Sequence, residues 1–368
     1  DFPHSKVIRL EQNYRSTGTI LQAANAVIAN NPSRLGKNLW TEGNEGEPIS
    51  LYAAFNEVDE ARFAVERIRQ FVEQGHSRSE VAILYRSNAQ SRLFEEALIQ
   101  ARIPYRVYGG LRFFERAEIK DALAYLRLIA NPEDDASFER AVNMPPRGIG
   151  ARTLDAVRAH AGDFGCSLWQ AARELAGGGA MSKRAAAALS GFLGLIDEQR
   201  LQAADLELQQ QVEQVVKAAG LVEHFKKNRD GKGEDRVENL EELVNASRQF
   251  GFEAEDPDMD ALSAFLAHAA LEAGDAQGDA FEECVQLMTL HSAKGLEFPL
   301  VFIAGLEEGL FPHSMSREDP QRLEEERRLC YVGMTRAMQR LSLSYAESRR
   351  LHGSDNYPLP SRFLREIP

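Results

Sequence analysis

The sequence predicts an α/β fold: a parallel sheet interrupted by a large all-helical insertion. Three observations predict it. Strand and helix signals alternate through the first third of the chain. The period-2 signal then disappears from about Leu111 to Glu283, and it returns at Val285. Strands alternating with helices form parallel sheets, because each parallel connection has to cross back over the sheet.

The elements follow in order. SLYAAF (Ser50–Phe55) has strand character, and EARFAVERIRQFVEQG (Glu60–Gly75) puts Ala61, Ala64, Ile68 and Phe71 on one helix face. VAILYR (Val81–Arg86) is a short apolar run of the buried-strand kind, and SNAQSRLFEEALIQA (Ser87–Ala101) is a helix with a Ser/Asn cap. PYRVYGG (Pro104–Gly110) is a strand ending in glycines. Helical stretches follow, among them IKDALAYLRLIAN, TLDAVRAHA, SLWQAARELA, QQVEQVVKAAG, VENLEELVNASRQF and ALSAFLAHAALEAG. Breakers separate them at Ala176–Ala180, Lys226–Asp235, Glu253–Asp260 and Gly274–Ala280. Strands resume with VQLMTL (Val285–Leu290) and PLVFIAGL (Pro299–Leu306), a helix is expected from about Gln321 to Arg340, and LSLSYA (Leu341–Ala346) alternates. The expected organisation is an α/β domain in two parts, 1–108 and 284–368, around a helical domain at 109–283.

Composition narrows the function. At 368 residues with 43% hydrophobic content the chain is long enough for two folded cores. No apolar run approaches the roughly 20 residues needed to span a bilayer, and no signal peptide opens the chain. Cys166, Cys284 and Cys330 lack metal-ligand spacing and cannot all pair, so a reducing cytoplasm is expected. The first residue is Asp1 rather than Met, so the expectation is a piece of a longer or processed chain. A net charge of −13 excludes a broadly basic surface, so any nucleic-acid contact has to be local.

Four segments carry candidate chemistry. In IRLEQNYRST (Ile8–Thr17), Tyr14 offers a stacking face and Arg15 a guanidinium for a phosphate, just before a Ser16–Thr17 helix cap. In MTLHSAKGLEFPLVF (Met288–Phe302), Glu297 suits a ribose hydroxyl, and Thr289 or His291 a DNA phosphate, where strands end. In RRLCYVGMTRAMQRL (Arg327–Leu341), a helical reading places Arg336 on one face with Leu329, Val332 and Gly333, an odd setting for a solvated cation. The plainer reading of Arg336 is a cation complementing a helix C-terminus. EEERR (Glu324–Arg328) reads as a solvated, salt-bridged stretch. In NMPPRGIGARTLDAV (Asn143–Val157), two helices flank a tight turn whose Gly148 and Gly150 let backbone N–H groups approach a duplex phosphate. The phosphate loop G-x-x-x-x-G-K-[ST] is absent from the sequence.

Together these segments resemble the superfamily 1 DNA helicases of the UvrD/Rep/PcrA family. QNYRS looks like motif IV, TLHSAKGLEF like motif V and EEERRLCYVGMTRA like motif VI, and YGGLRFFERAEIKDALAYLRL and the GIG turn extend the likeness over essentially the whole chain. The resemblance implies that the α/β part is a second RecA-like domain, with the helical insertion that the family places in it and a helix-hairpin-helix inside that. It implies Tyr14 at adenine, Arg15 and Arg336 at the γ-phosphate, Glu297 at ribose, Arg86, Ser87, Asn88, Thr289 and His291 along single-stranded DNA, and Gly148, Ile149 and Gly150 on duplex. It implies ATP and Mg²⁺ in the full-length enzyme, held mainly by a domain not in this sequence. No metal site and no cofactor are expected in this chain alone. The implied partners are single-stranded DNA, ss/ds junctions and nucleotide-excision and mismatch repair proteins, in the nucleoid-associated bacterial cytoplasm and away from membranes. The alternative is an ATP-independent DNA-binding or repair-protein docking module.

Overall fold

The computed structural model describes residues 11–33, 36, 38–228, 231–251, 260–274, 283–351 and 354–368. In chain order it opens with α1 (Gly18–Ala29), β1 (Ser50–Asn56), α2 (Glu57–Glu73), β2 (Val81–Tyr85), α3 (Ser91–Gln100) and β3 (Tyr105–Val107). Helices α4 (Ala117–Ala130), α5 (Asp135–Ala141), α6 (Ala151–Phe164), α7 (Leu168–Gly177), α8 (Lys183–Ala203), α9 (Leu208–Ala218), α10 (Leu221–Lys226), α11 (Gly233–Gln249) and α12 (Ala261–Gly274) follow. The chain then runs through β4 (Val285–Thr289), β5 (Phe298–Ile303), α13 (Pro320–Met334), β6 (Ala337–Leu351), β7 (Ser354–Asn356) and α14 (Arg362–Arg365). The chain divides into two compact units, one of Asp1–Arg112, Ala276–Arg350 and Ser354–Pro368, the other of Phe113–Asp275 with Leu351–Gly353.

The first unit is the expected α/β fold. Its strands lie in the order β1-β6-β5-β2-β4-β3, with β7 on β6. Every pair along that path is parallel. β2 is buried at all five positions, as a central parallel strand must be. Its side chains alternate between two cores. Val81, Ile83 and Tyr85 join Ile68 of α2 and Phe94 and Leu98 of α3. Ala82 and Leu84 join Ile20 and Val27 of α1 with Leu329 and Met334 of α13. The sheet is thus covered on both faces. A buried ion cluster fastens its far end: Arg349 of β6 bonds both Glu60 of α2 and Glu307 after β5.

Several element boundaries differ from the sequence reading: the helix read from Ser87 starts at Ser91, behind a 3₁₀ turn at Asn88–Gln90 that Ser87 caps, and the strand read to Gly110 ends at Val107. The helix expected to reach Arg340 starts at Pro320, where Asp319 caps it, and stops at Met334. Residues 337–340 are already strand, because Ala337 pairs with Phe298 and Arg340 with Leu300. The cap read at Ser16–Thr17 keeps its position but lacks the side-chain bond. Thr17 is the N-cap of α1, but its hydroxyl makes no capping bond and is buried without a partner.

Between residues 113 and 274, the regular elements of the second unit are all helices among the described residues. α4 forms its centre, with buried residues on all sides including Ile119, Leu123, Tyr125 and Leu128. The breakers expected at Glu253–Asp260 and Gly274–Ala280 lie outside the described residues except at Asp260 and Gly274.

Candidate nucleotide and nucleic-acid site

Three distant segments meet at the amino-terminal edge of β5 and β6. The β-region stretch before α1 is pinned to the start of β6 by Ser16 Oγ donating to Ala337 O at 2.6 Å and Thr17 N to Met338 O at 3.2 Å. Asn13 Oδ1 accepts from the N–H groups of Arg15 and Ser16, both at 2.8 Å, and folds the turn that aims Arg15. Arg15 Nε then donates to Glu297 Oε2 at 2.5 Å, across 282 positions of sequence, and Nη1 reaches Thr335 O at 3.4 Å. Tyr14 stands beside this pair, 86% exposed, with its ring open to a stacking partner.

Arg336 completes the cluster, though not from a helix face. It lies two residues past the end of α13. Its Nε donates to Val332 O at 3.0 Å, its Nη1 to Leu296 O at 3.0 Å and its Nη2 to Thr335 Oγ1 at 3.2 Å. The shared face with Leu329, Val332 and Gly333 is therefore set aside. The plainer helix-terminus reading describes one of its contacts, since Val332 O belongs to the last turn of α13. Burial lowers the pKa of Arg336, the neighbouring Arg15 charge lowers it further, and Glu297 opposes both. Two guanidiniums against one carboxylate leave an excess positive charge that an anion would relieve.

The DNA candidates sit at the opposite, carboxyl-terminal edge. Tyr85 and Thr289 are register partners at the ends of β2 and β4, and Leu290 N donates to Tyr85 O at 2.8 Å. This brings Arg86, Ser87 and Asn88 alongside Thr289 and exposed His291. Ser87 is buried and spends its hydroxyl capping the 3₁₀ turn Asn88–Gln90, while Gln90 Oε1 accepts from Arg86 N and Ser87 N. Arg86 is paired with Glu326 through Nε and Nη2, at 2.8–3.0 Å. Glu297, grouped in sequence with Thr289 and His291, lies across the sheet from them, because the turn after β4 carries the chain back to the start of β5.

In the helical unit, the turn between α5 and α6 exposes Gly148 and Gly150 around Ile149, which is 1% exposed. Gly148 has φ +77, and a Cβ at either glycine would meet nothing within 4 Å, so the backbone is open to a large partner. No side chain caps α6 at Gly150. Arg147, the basic residue of the turn, points inward instead. It donates to Pro145 O and Ala219 O at 3.0 and 2.9 Å and lies over the rings of Tyr125 and Phe192.

A family model described as the UvrD-like helicase C-terminal domain matches residues 8–348. The chain belongs to that family. It is 61% identical to DNA helicase II of Escherichia coli (strain K12) over 368 residues, 100% of this chain and 51% of that protein. It is 45% identical to the ATP-dependent DNA helicase PcrA of Bacillus subtilis (strain 168) over 375 residues, 100% of this chain and 50% of that protein. The chain thus spans about half the length of the curated relatives it matches. Among the described residues no helix is long and apolar enough to cross a membrane.

Sequence reasoning missed two residues that shape this helicase domain, Gln90 and Glu326. The solvated reading of EEERR describes part of it, since Arg328 pairs with both Glu324 and Glu325 near the surface. Glu326 and Arg327, however, are buried at 4% and 7% exposure. Their signal was available: on a helix only one face of a charged run can meet water, and Leu329 and Cys330 mark the other.

Proposed function

We propose that this chain supplies the second RecA-like half of an ATP-dependent 3′ to 5′ DNA helicase and translocase of DNA repair. Residues 1–108 and 284–368 form that domain and 109–283 its inserted helical domain, a reading supported by the division into two compact units. The observation that carries the proposal is the convergence of Arg15, Glu297 and Arg336, with Tyr14 beside them, at one sheet edge. Arg15 and Arg336 act as arginine fingers on the γ-phosphate, Glu297 meets the ribose and Tyr14 stacks on adenine. Arg86, Ser87, Asn88, Thr289 and His291 line the single strand, and the turn Gly148–Ile149–Gly150 holds duplex ahead of the junction through its exposed glycines, with buried Ile149 anchoring it.

Phosphoryl transfer is accelerated mainly by charge on the transferring oxygens, and a finger contributes about 10³–10⁵ in rate. Fingers carried by a separate domain act only when the cleft closes, which ties hydrolysis to movement along the strand. The donor set here does not fit Mg²⁺, because its one carboxylate, Glu297, is paired to Arg15 and neighbours a second guanidinium. The ligands of the metal, and the phosphate loop, therefore come from another domain. Single-stranded DNA, ss/ds junctions and nucleotide-excision and mismatch repair proteins are the proposed partners, in the nucleoid-associated bacterial cytoplasm.

The test is ATP hydrolysis by this chain alone and covalently joined to a phosphate-loop domain of the family. The chain alone is expected to show no DNA-stimulated hydrolysis, and the joined protein to show it. Robust turnover by the chain alone would overturn the division of labour. DNA binding with no turnover in either form would favour an ATP-independent binding module.

A further inference from the structure

Glu326 is a buried carboxylate that the proposed chemistry leaves unused. It lies in the middle of α13, 4% exposed. Both its oxygens take Arg86, and Oε2 also accepts the backbone N–H of His313 at 3.1 Å. Two of the three guanidinium nitrogens of Arg86 are thereby fixed at the carboxyl-terminal edge of β2. A bidentate carboxylate sets the plane and the direction of a guanidinium, which a lone arginine would have to lose rotamer entropy to adopt. Stability alone explains the pair poorly, since buried ion pairs are often no better than apolar replacements.

Helix α13 also joins the two edges of the sheet. It runs opposite to the strands, from the loop after β5 back to the start of β6. Glu326 contacts the edge where Arg86 lies, and Val332, in the last turn, holds Arg336 at the other. The helix seats tightly between them: a Cβ on Gly333 would lie 2.4 Å from Leu290 Cδ2, and Leu290 stands between Thr289 and His291. We propose that Glu326 is a positioning residue that fixes Arg86 for a single-strand phosphate and, through α13, couples that grip to the nucleotide-side arginine. This rests on the reading above, in which Arg86 meets the strand and Arg336 the γ-phosphate.

The experiment uses the protein with its phosphate-loop domain present and an oligothymidylate probe. Strand affinity is measured by fluorescence anisotropy with and without a non-hydrolysable ATP analogue, for wild type, Glu326→Gln, Arg86→Gln and the double variant. Coupling between sites of this kind is commonly about 5–150-fold. Glu326→Gln is expected to bring the nucleotide-dependent change in strand affinity close to none, and the double variant to lose no more than either single one. An unchanged nucleotide effect in Glu326→Gln, or additive losses in the double variant, overturns the assignment. If Glu326→Gln unfolds, the apolar pair Glu326→Met with Arg86→Met is read instead. Restored folding without the nucleotide effect supports positioning, whereas recovery of both assigns the pair to stability alone. A wild type whose strand affinity ignores nucleotide overturns the underlying helicase reading, and the coupling with it.

Discussion

Arg336 is held by three oxygens of its own domain, two of them backbone carbonyls. Such a guanidinium is pre-aimed, so little ordering is left to do when an anion arrives. In the protein completed with a phosphate-loop domain, Arg336→Ala is expected to lower turnover by about 10³–10⁵ while the KM for ATP changes far less. Steady-state hydrolysis checks this, and Arg336→Lys should recover little, since an ammonium cannot reproduce the fork. A second residue-scale expectation concerns Glu308. Burial pushes its carboxyl up, but the hydrogen bonds and charge of Arg362 outweigh that and hold it below the ordinary 4.5. A lowered folded value stabilises the fold above pH 4.5, and that contribution is lost as pH falls through the folded value. Arg362→Gln is therefore expected to flatten the acid side of a plot of melting temperature against pH, measured between about pH 6 and about pH 3. The residue identities of the candidate site were legible in sequence, because arginine, tyrosine and glutamate each carry their chemistry with them. The partner of Arg86 was not, since Glu326 lies 240 positions away.

At the scale of elements, α13 shows where pattern reading stops. Its start was marked by Asp319 and Pro320, but its end had no glycine cap, and the apolar pattern continues smoothly from helix into strand. What ends it is the pairing of Ala337 with Phe298, a tertiary contact. Gly333 is the position where this helix approaches the sheet. On an open helix, Gly→Ala would gain about 1 kcal/mol. Here the added carbon meets Leu290 and Ile303, both fully buried, at 2.4 and 3.2 Å. Gly333→Ala is expected to lose about 1–3 kcal/mol by overpacking, and Gly333→Val more, as read by urea unfolding. The turn between α5 and α6 gives the converse case, because its glycines face open space. Gly148→Glu should leave folding nearly intact apart from the strain of φ +77, yet weaken binding to junction duplex more than to single strands. Equal losses on the two DNAs in a binding titration would remove the hairpin from the duplex contact.

Over the whole molecule, the candidate nucleotide and strand residues occupy opposite edges of one sheet. The net charge of −13 is compatible with that arrangement, because acidic residues outnumber basic ones overall while a local cluster of guanidiniums can still present positive charge. The sheet itself was readable in advance. Alternation announced a parallel sheet, and the long loss of period-2 signal announced helices, because side-chain periodicity follows directly from backbone geometry.

The sequence by itself determined the fold class, most of the elements and the residue types that make up the candidate site. Only the tertiary structure decided that Arg336 leaves the helix before it reaches Leu296, that Glu297 faces Arg15 rather than Thr289, and that Glu326 is buried against Arg86. The physical reason is range. Periodicity and capping act over a few residues and leave their mark in the order of the chain. The partners of these charges are brought together by strand order and helix packing, across distances that local pattern does not encode.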